Sequence, residues 1–177
     1  AENIPYALVL EDDANILDED LSATLAKLAQ LHPAHEPAAV LLSHVERYNA
    51  NKKVPLDDRR SVYEAYRGCC AHGYFITKAA ADILARQLYP AYVVADKWEY
   101  FQENFIDVKA LVPYSIGLTS ASLSSSIDAQ GERIKKRKNR RSFAYYMRRL
   151  YSQLVYSIRS RPFIRIEYQE KSGLDLQ

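Results

Sequence analysis

A chain of 177 residues, 48% of them apolar, with 24 Lys+Arg against 22 Asp+Glu, is long enough to bury one hydrophobic core without covalent staples. The two cysteines, Cys69 and Cys70, are adjacent, which excludes the framework of a small disulfide scaffold and points to a reducing compartment. No stretch approaches the roughly 20 apolar residues of a spanning helix, and residues 1–5 have neither the basic nor the apolar region of a secretion signal.

The near-neutral net charge of +2 is a sum of opposites. Twelve Lys/Arg and no acid fall between Arg133 and Arg165, so that segment carries +12, and the rest of the chain carries −10. This asymmetry predicts an acidic body, residues 1–128, and a basic tail, residues 129–177, suited to a polyanion such as phospholipid, lipopolysaccharide or nucleic acid.

Along the chain, Pro5 to Leu10 is a short apolar run ending in Glu11-Asp12-Asp13, the pattern of a buried α/β strand that delivers carboxylates to the ligand-binding edge of a sheet. Leu21, Leu25, Leu28 and Leu31 recur at helical spacing, with Asp18 or Asp20 available as a cap and His32-Pro33 as the stop. Ala38 to Val45 reads as a second buried strand, and Glu46 to Asp58 as a polar loop. Gly68 to Gly73 is glycine-punctuated and leads into a strand at Tyr74-Phe75-Ile76. Thr77 then caps a helix buried through Ala80, Ile83, Leu84 and Leu88. A further helix is expected over Asp96 to Asn104, with Trp98, Tyr100 and Phe101 burying an aromatic face, and Val108 to Val112 reads as the last short strand. The Ser/Thr-rich stretch Thr119 to Ser126 reads as a loop. Strands alternating with helices make an α/β protein. In the tail, Ser142 precedes a helix with Phe143, Met147, Leu150, Leu154 and Ile158 on one face. Together with Lys135, Lys136, Arg137, Arg140, Arg141, Arg148 and Arg149, this amphipathic basic pattern fits an anionic membrane surface.

Three consecutive acids at a strand end repel one another unless they hold something positive. Glu11 with Asp13, or Asp12 with Asp13, offers oxygens to Mg²⁺ or Mn²⁺, with a nucleotide diphosphate completing the coordination. The alternative is a solvated turn or a cap cluster. A response-regulator receiver is disfavoured, because no apolar strand leads into Asp57-Asp58 and Lys109 lies inside a strand rather than after it. His32 and His35 lack partners of metal-binding spacing, and Cys69 and Cys70 read as small packing groups.

Tyr6-Ala-Leu-Val-Leu-Glu11-Asp12-Asp13, then Gly68-Cys-Cys-Ala-His-Gly73-Tyr74-Phe75-Ile76-Thr77-Lys78, then Val93-Val-Ala-Asp96, resembles in order and spacing the glycosyltransferase family 25 enzymes, the lipooligosaccharide galactosyltransferases and their relatives. The resemblance spans residues 5–128. It departs from the family pattern at Cys69-Cys70-Ala71-His72, where small residues are usual, and at Ala95 before Asp96.

The resemblance implies a GT-A-like, Rossmann-like core and a UDP-sugar donor. It further implies inverting transfer of a sugar, galactose by analogy, to a lipid-linked lipooligosaccharide (LPS core) acceptor at the cytoplasmic face of the bacterial inner membrane, where the protein would sit as a peripheral protein. By position it implies Glu11 and Asp13 as ligands of Mn²⁺ or Mg²⁺, Asp12 and Asp13 as diphosphate-side acids, and His72, Gly73 and Tyr74 on the substrate side. Asp96 takes the place of the base that accepts the acceptor's proton; its plainer reading is a helix cap. The family also carries an N-terminal βαβ unit before the acidic strand. From that comparison the chain is expected to lack its N-terminal part, to bind donor weakly or be inactive alone, and to self-associate through an open sheet edge beside residues 5–10. The competing readings are a nucleic-acid-binding protein with a basic, Tyr-rich tail, which leaves the Glu11–Asp13 run unexplained, and a noncatalytic scaffold.

Overall fold

The computed structural model describes residues 3–66, 68, 71–119, 147, 151, 154 and 165–171. Nine strands and three helices are named within them: β1 (Tyr6–Leu10), β2 (Ala14–Ile16), α1 (Leu21–Leu31), β3 (Ala38–Leu41), β4 (Arg47–Pro55), β5 (Ser61–Tyr66), β6 (Gly73–Thr77), α2 (Lys78–Gln87), α3 (Trp98–Asn104), β7 (Asp107–Val112), β8 (Ile116–Leu118) and β9 (Ile166–Tyr168). Seven strands form one mixed sheet in the order β1-β6-β3-β7-β5-β4-β9, and β2 pairs with β8 in a separate ribbon. Only β3 and β7 pair in parallel within the large sheet. Because β6 is antiparallel to both β1 and β3, the carboxyl ends of β1, β3 and β7 and the start of β6 share one edge.

β3 explains why the sheet is covered on both faces. All four of its residues are buried. Ala39 and Leu41 enter a core with Ala80 of α2 and with Trp98 and Phe101 of α3, while Val40 and the following Leu42 enter a second core with Leu28 of α1. A period-2 alternation of entirely apolar residues thus feeds both layers, as a central strand requires. α1 begins at Asp20, whose carboxylate accepts the Ala23 N–H, and ends at His32. α2 begins at Thr77, whose hydroxyl accepts the Ala80 N–H while also donating to the carbonyl of Glu36. Thr77 therefore joins the helix start to the entry of β3.

Four expectations are corrected. The Pro5–Leu10 run is not a doubly buried strand: among the described residues β1 is the terminal strand and pairs only with β6, and Ala7, Val9 and Leu10 are exposed while Tyr6 and Leu8 pack toward α1. An apolar run alone does not distinguish a central strand from an edge strand covered on one face. Residues 46–58 are not a loop but most of the antiparallel β4–β5 hairpin, whose outer half, Asn51 to Pro55, is exposed and held by pairing rather than by burial. β7 is not the last strand, since β8 and β9 follow. Finally, the segment read as a helical tail contains β9, which joins the same sheet beside β4.

β9 is anchored by more than three ladder residues. Gln169 Oε1 accepts the Val45 N–H at 2.9 Å, its carbonyl lies 3.1 Å from His44 Nε2, and the Tyr48 hydroxyl donates to Glu167 at 3.0 Å. The Arg47 guanidinium lies over the Tyr168 ring, 4.9 Å from its centroid. Of the expected amphipathic helix, Met147, Tyr151 and Leu154 are helical and exposed. Phe143, Leu150, Ile158, Lys135, Lys136, Arg137, Arg140, Arg141, Arg148 and Arg149 lie outside the described residues, as do Cys69, Cys70 and residues 120–126 of the expected Ser/Thr-rich loop. No helix among the described residues is long and apolar enough to cross a membrane.

Candidate metal centre

β1 ends in a turn that is pinned on both sides. The Glu11 N–H donates to the carbonyl of His72 at 3.0 Å, continuing the β1–β6 ladder by one residue beyond the Leu10–Gly73 pair. The Ala14 N–H closes the turn onto the Glu11 carbonyl at 3.2 Å, and the Asp13 carbonyl accepts the Thr119 N–H at 3.0 Å as β2 pairs with β8. Glu11 and Asp13 are thus two residues apart on a fixed turn, and His72 faces them from the chain entering β6.

The three side chains converge. His72 Nδ1 is 2.8 Å from Glu11 Oε2 and 4.0 Å from Asp13 Oδ1, and one ligand atom from each residue lies within 4.8 Å of the others. Asp13 Oδ1 is buried and accepts no hydrogen bond. A buried carboxylate oxygen without a donor is costly unless a cation completes it. Ligands bound at roughly 2.1 Å to one ion stand about 3.0–3.5 Å apart; Glu11 and His72 already stand inside that separation, and His72 and Asp13, 4.0 Å apart, stand slightly beyond it. Two carboxylates and an imidazole therefore fit a divalent cation. Asp12 occupies the middle of the turn, is exposed, and lies outside the cluster.

The remaining site residues expected from sequence are dispersed around this edge. Gly73 is buried: a Cβ there would stand 2.9 Å from both Cγ1 and Cγ2 of Ile116, so its lack of a side chain serves the packing of β6 on β8. Tyr74 pairs across the ladder with Val9, and its ring meets Trp98 edge-on at 4.8 Å. Burial, and then the negative charge of Glu11, push the Tyr74 hydroxyl above its ordinary pKa. Asp96 is exposed and outside the three-residue cluster. It does not cap α3 either; the helix starts at Trp98, with Lys97 as its cap residue and no side-chain capping bond. Trp98 and Phe101 are buried, as their helical spacing predicts.

A second polar group lies nearby and is structural. The Asp18 carboxylate accepts hydrogen bonds from Thr24 (2.6 Å), Ser115 (3.1 Å) and Arg60; Arg60 in turn donates to Asp57 through Nε at 3.0 Å. Burial would raise the Asp18 carboxyl, but the hydrogen bonds from Thr24 and Arg60 outweigh it and lower its pKa. Every member is partnered within the fold, joining α1, the β4–β5 turn and the approach to β8. Nothing in the sequence signals this group, because its members come from distant segments, residues 18–24, 57–60 and 115. A cleft of about 460 Å³ lined by Asn3, Ile4, Tyr6, Thr77, Lys78 and Asp82 sits at the amino-terminal end of β1, away from the carboxylates.

No protein-family model matches the chain, and no curated protein matches it.

Proposed function

We propose that the chain carries the acidic edge of a GT-A-like glycosyltransferase resembling family 25, moving a sugar from a UDP-sugar to a lipid-linked lipooligosaccharide acceptor with inversion. The observation that carries this reading is the convergence of Glu11, Asp13 and His72 at the shared carboxyl edge of β1, β3 and β7, the side of an α/β sheet where ligands bind. Glu11, Asp13 and His72 would hold Mn²⁺ or Mg²⁺. Such an ion neutralises the charge that develops on a departing nucleoside diphosphate. The turn that bears the acids is tied to β6 and β8, so their spacing is set before any ligand arrives.

Tyr74, whose hydroxyl feels the charge of Glu11, is the proposed hydrogen-bond donor at the same edge. Asp96, exposed just before the helix that packs on Tyr74, is the proposed base for the acceptor hydroxyl. The exposed helical residues Met147, Tyr151 and Leu154, within a segment of charge +12, support contact with the anionic membrane surface that holds the acceptor.

The test is sugar transfer by the full gene product from a UDP-sugar to a purified lipooligosaccharide core, with and without Mn²⁺. Asp13→Asn is expected to abolish the metal-dependent transfer while leaving the thermal unfolding midpoint near that of the parent. Transfer that survives Asp13→Asn would remove the metal assignment. Absence of transfer with any UDP-sugar, alongside salt-sensitive oligonucleotide binding, would favour the nucleic-acid reading.

A further inference from the structure

The two ends of the large sheet differ. At one end β9 is three residues long, and Arg165, Glu167 and Glu170 in and beside it line the border with charge, which keeps an edge from pairing further. At the other end β1 carries no charged residue from Tyr6 to Leu10, and among the described residues no strand pairs with its outer side. The direction of its backbone groups follows from the ladder. The Glu11 N–H donates to the His72 carbonyl, and the Pro5 carbonyl accepts the Lys78 N–H at 2.9 Å. With the β1–β6 register, Pro5, Ala7, Val9 and Glu11 therefore turn their backbone groups toward β6, and Tyr6, Leu8 and Leu10 turn theirs outward. Pro5 blunts nothing, because its missing N–H lies on the paired side.

Side chains repeat the alternation. Tyr6 and Leu8 pack toward α1, whereas Ala7 and Val9 are exposed. Ala7, Ile76 and Ala81 line the cleft of about 460 Å³ beside α2, where Lys78 pairs with Asp82 at 2.5 Å.

We infer that this edge is a dimer interface, in which β1 pairs antiparallel with β1 of a second copy about a twofold axis at Leu8. Leu8 then meets Leu8, Tyr6 meets Leu10, and Ala7 meets Val9. The outward-turned residues of the two copies face one another and make about six backbone hydrogen bonds. A second copy is the occupant because the segment is complementary to itself. Val9 of the second copy comes to lie beside the small Ala7, on the cleft side, and no charge opposes a like charge. Glu11 falls opposite Pro5 of the second copy, at the end of the cleft that carries Lys78, and Asp12 falls opposite Ile4. Moving the axis to Val9 would instead set Asp12 against Tyr6 and Glu11 against Ala7, burying acids on apolar residues. The inference stands on the sheet edge and is independent of the metal reading.

The experiment uses the 177-residue chain. Sedimentation velocity over about a hundredfold range of concentration is expected to show monomer giving way to dimer. Ala7→Lys and Val9→Glu each change an exposed side chain, and each should weaken the dimer about tenfold or more, because like charges then sit diagonally across the twofold axis. The double variant Ala7→Lys/Val9→Glu sets opposite charges directly across both pairs and should recover most of that loss. Circular dichroism melts at the dilute end establish that all three variants are folded. Amide exchange should slow at Tyr6, Leu8 and Leu10 as dimer forms, and stay unchanged at Ala7 and Val9.

A chain that remains monomeric across the range, or a dimer unaffected by either folded single variant, would overturn the inference. A double variant that dimerises no better than the single ones would refute the register and the interface with it. Protection of the Tyr6, Leu8 and Leu10 amides in a monomer would show that the edge is covered from within its own chain, which would equally overturn it.

Discussion

Asp57→Asn isolates one charge in the network that holds the β4–β5 turn. The Asp57 carboxylate accepts the backbone N–H groups of Arg59 (2.9 Å) and Arg60 (2.8 Å) and the Arg60 guanidinium, and Lys27 Nζ lies 3.6 Å away. Burial would raise its pKa, but these hydrogen bonds and the Arg60 charge pull it from 3.8 down to about 2. A depression just short of two units, at about 1.4 kcal/mol each, sets an upper limit of about 2.5 kcal/mol. The side chain keeps some contact with solvent, 16% exposed, so an effect of about 1–2 kcal/mol is expected at neutral pH.

The sign follows from the depressed value. A carboxyl whose folded pKa lies below its unfolded one stabilises the fold fully above the unfolded pKa, near 4, and loses that contribution as pH falls through about 2. Asn at this position keeps Oδ1 for the two backbone donors and removes the charge together with the oxygen that accepts from Arg60. Urea unfolding of parent and Asp57→Asn between pH 6 and pH 2.5 should therefore show a stability gap that is constant down to about pH 5. By pH 2.5 the same linkage leaves roughly a third of it. A gap that does not narrow with acid, or no gap at pH 6, would refute the assignment of the stabilisation to the ionised carboxylate.

Three further outcomes are expected. Gly73→Ala should destabilise by about 1–3 kcal/mol in urea titrations, because its Cβ would meet Ile116 at 2.9 Å. Pairing it with Ile116→Ala, which removes both contacting Cγ atoms, should show a favourable coupling of about 0.5 kcal/mol or more. Tyr48→Phe deletes the donor to Glu167 and should cost about 1 kcal/mol, with faster amide exchange at residues 166–168; equal exchange in both proteins would show that this bond does not hold β9. A peptide spanning residues 133–165 should bind vesicles containing phosphatidylglycerol and release at high salt, and should ignore phosphatidylcholine vesicles; indifference to lipid charge would remove the membrane part of the proposal.

The parts of this fold that were legible in sequence are those fixed by local physics. The Leu21–Leu31 spacing gave α1, Thr77 marked the start of α2, and the wholly apolar Ala38–Leu41 run gave a central strand. The acidic turn was legible as a run of charge for the same reason, since three consecutive acids are a local fact. The outer half of β4 was not, because Asn51, Lys52 and Lys53 are exposed and carry no hydrophobic alternation; cross-strand pairing with β5 and the Asp57 turn hold that end of the hairpin. β9 was hidden because its anchor, the bond from the Val45 N–H to Gln169, joins residues 124 apart in sequence.

Gly73 shows how the same residue changes meaning between the two levels. In sequence, the family resemblance places Gly73 on the substrate side, and its missing side chain leaves room for a neighbour. In the structure that room is filled by Ile116, whose N–H is itself fixed on the Leu42 carbonyl at 2.9 Å. The residues from Ser115 to Thr119 then do two things at once: Ile116 sets how closely β6 can approach, and so where His72 lies, while Thr119 holds the Asp13 carbonyl. The cluster geometry is therefore a property of the β8 segment as much as of the acidic turn. Disturbing the Gly73–Ile116 contact should move His72 relative to Asp13 and weaken Mn²⁺ binding together with stability. A Gly73→Ala protein that is destabilised yet binds Mn²⁺ as the parent does would show that the packing of β6 and the spacing of the cluster are independent.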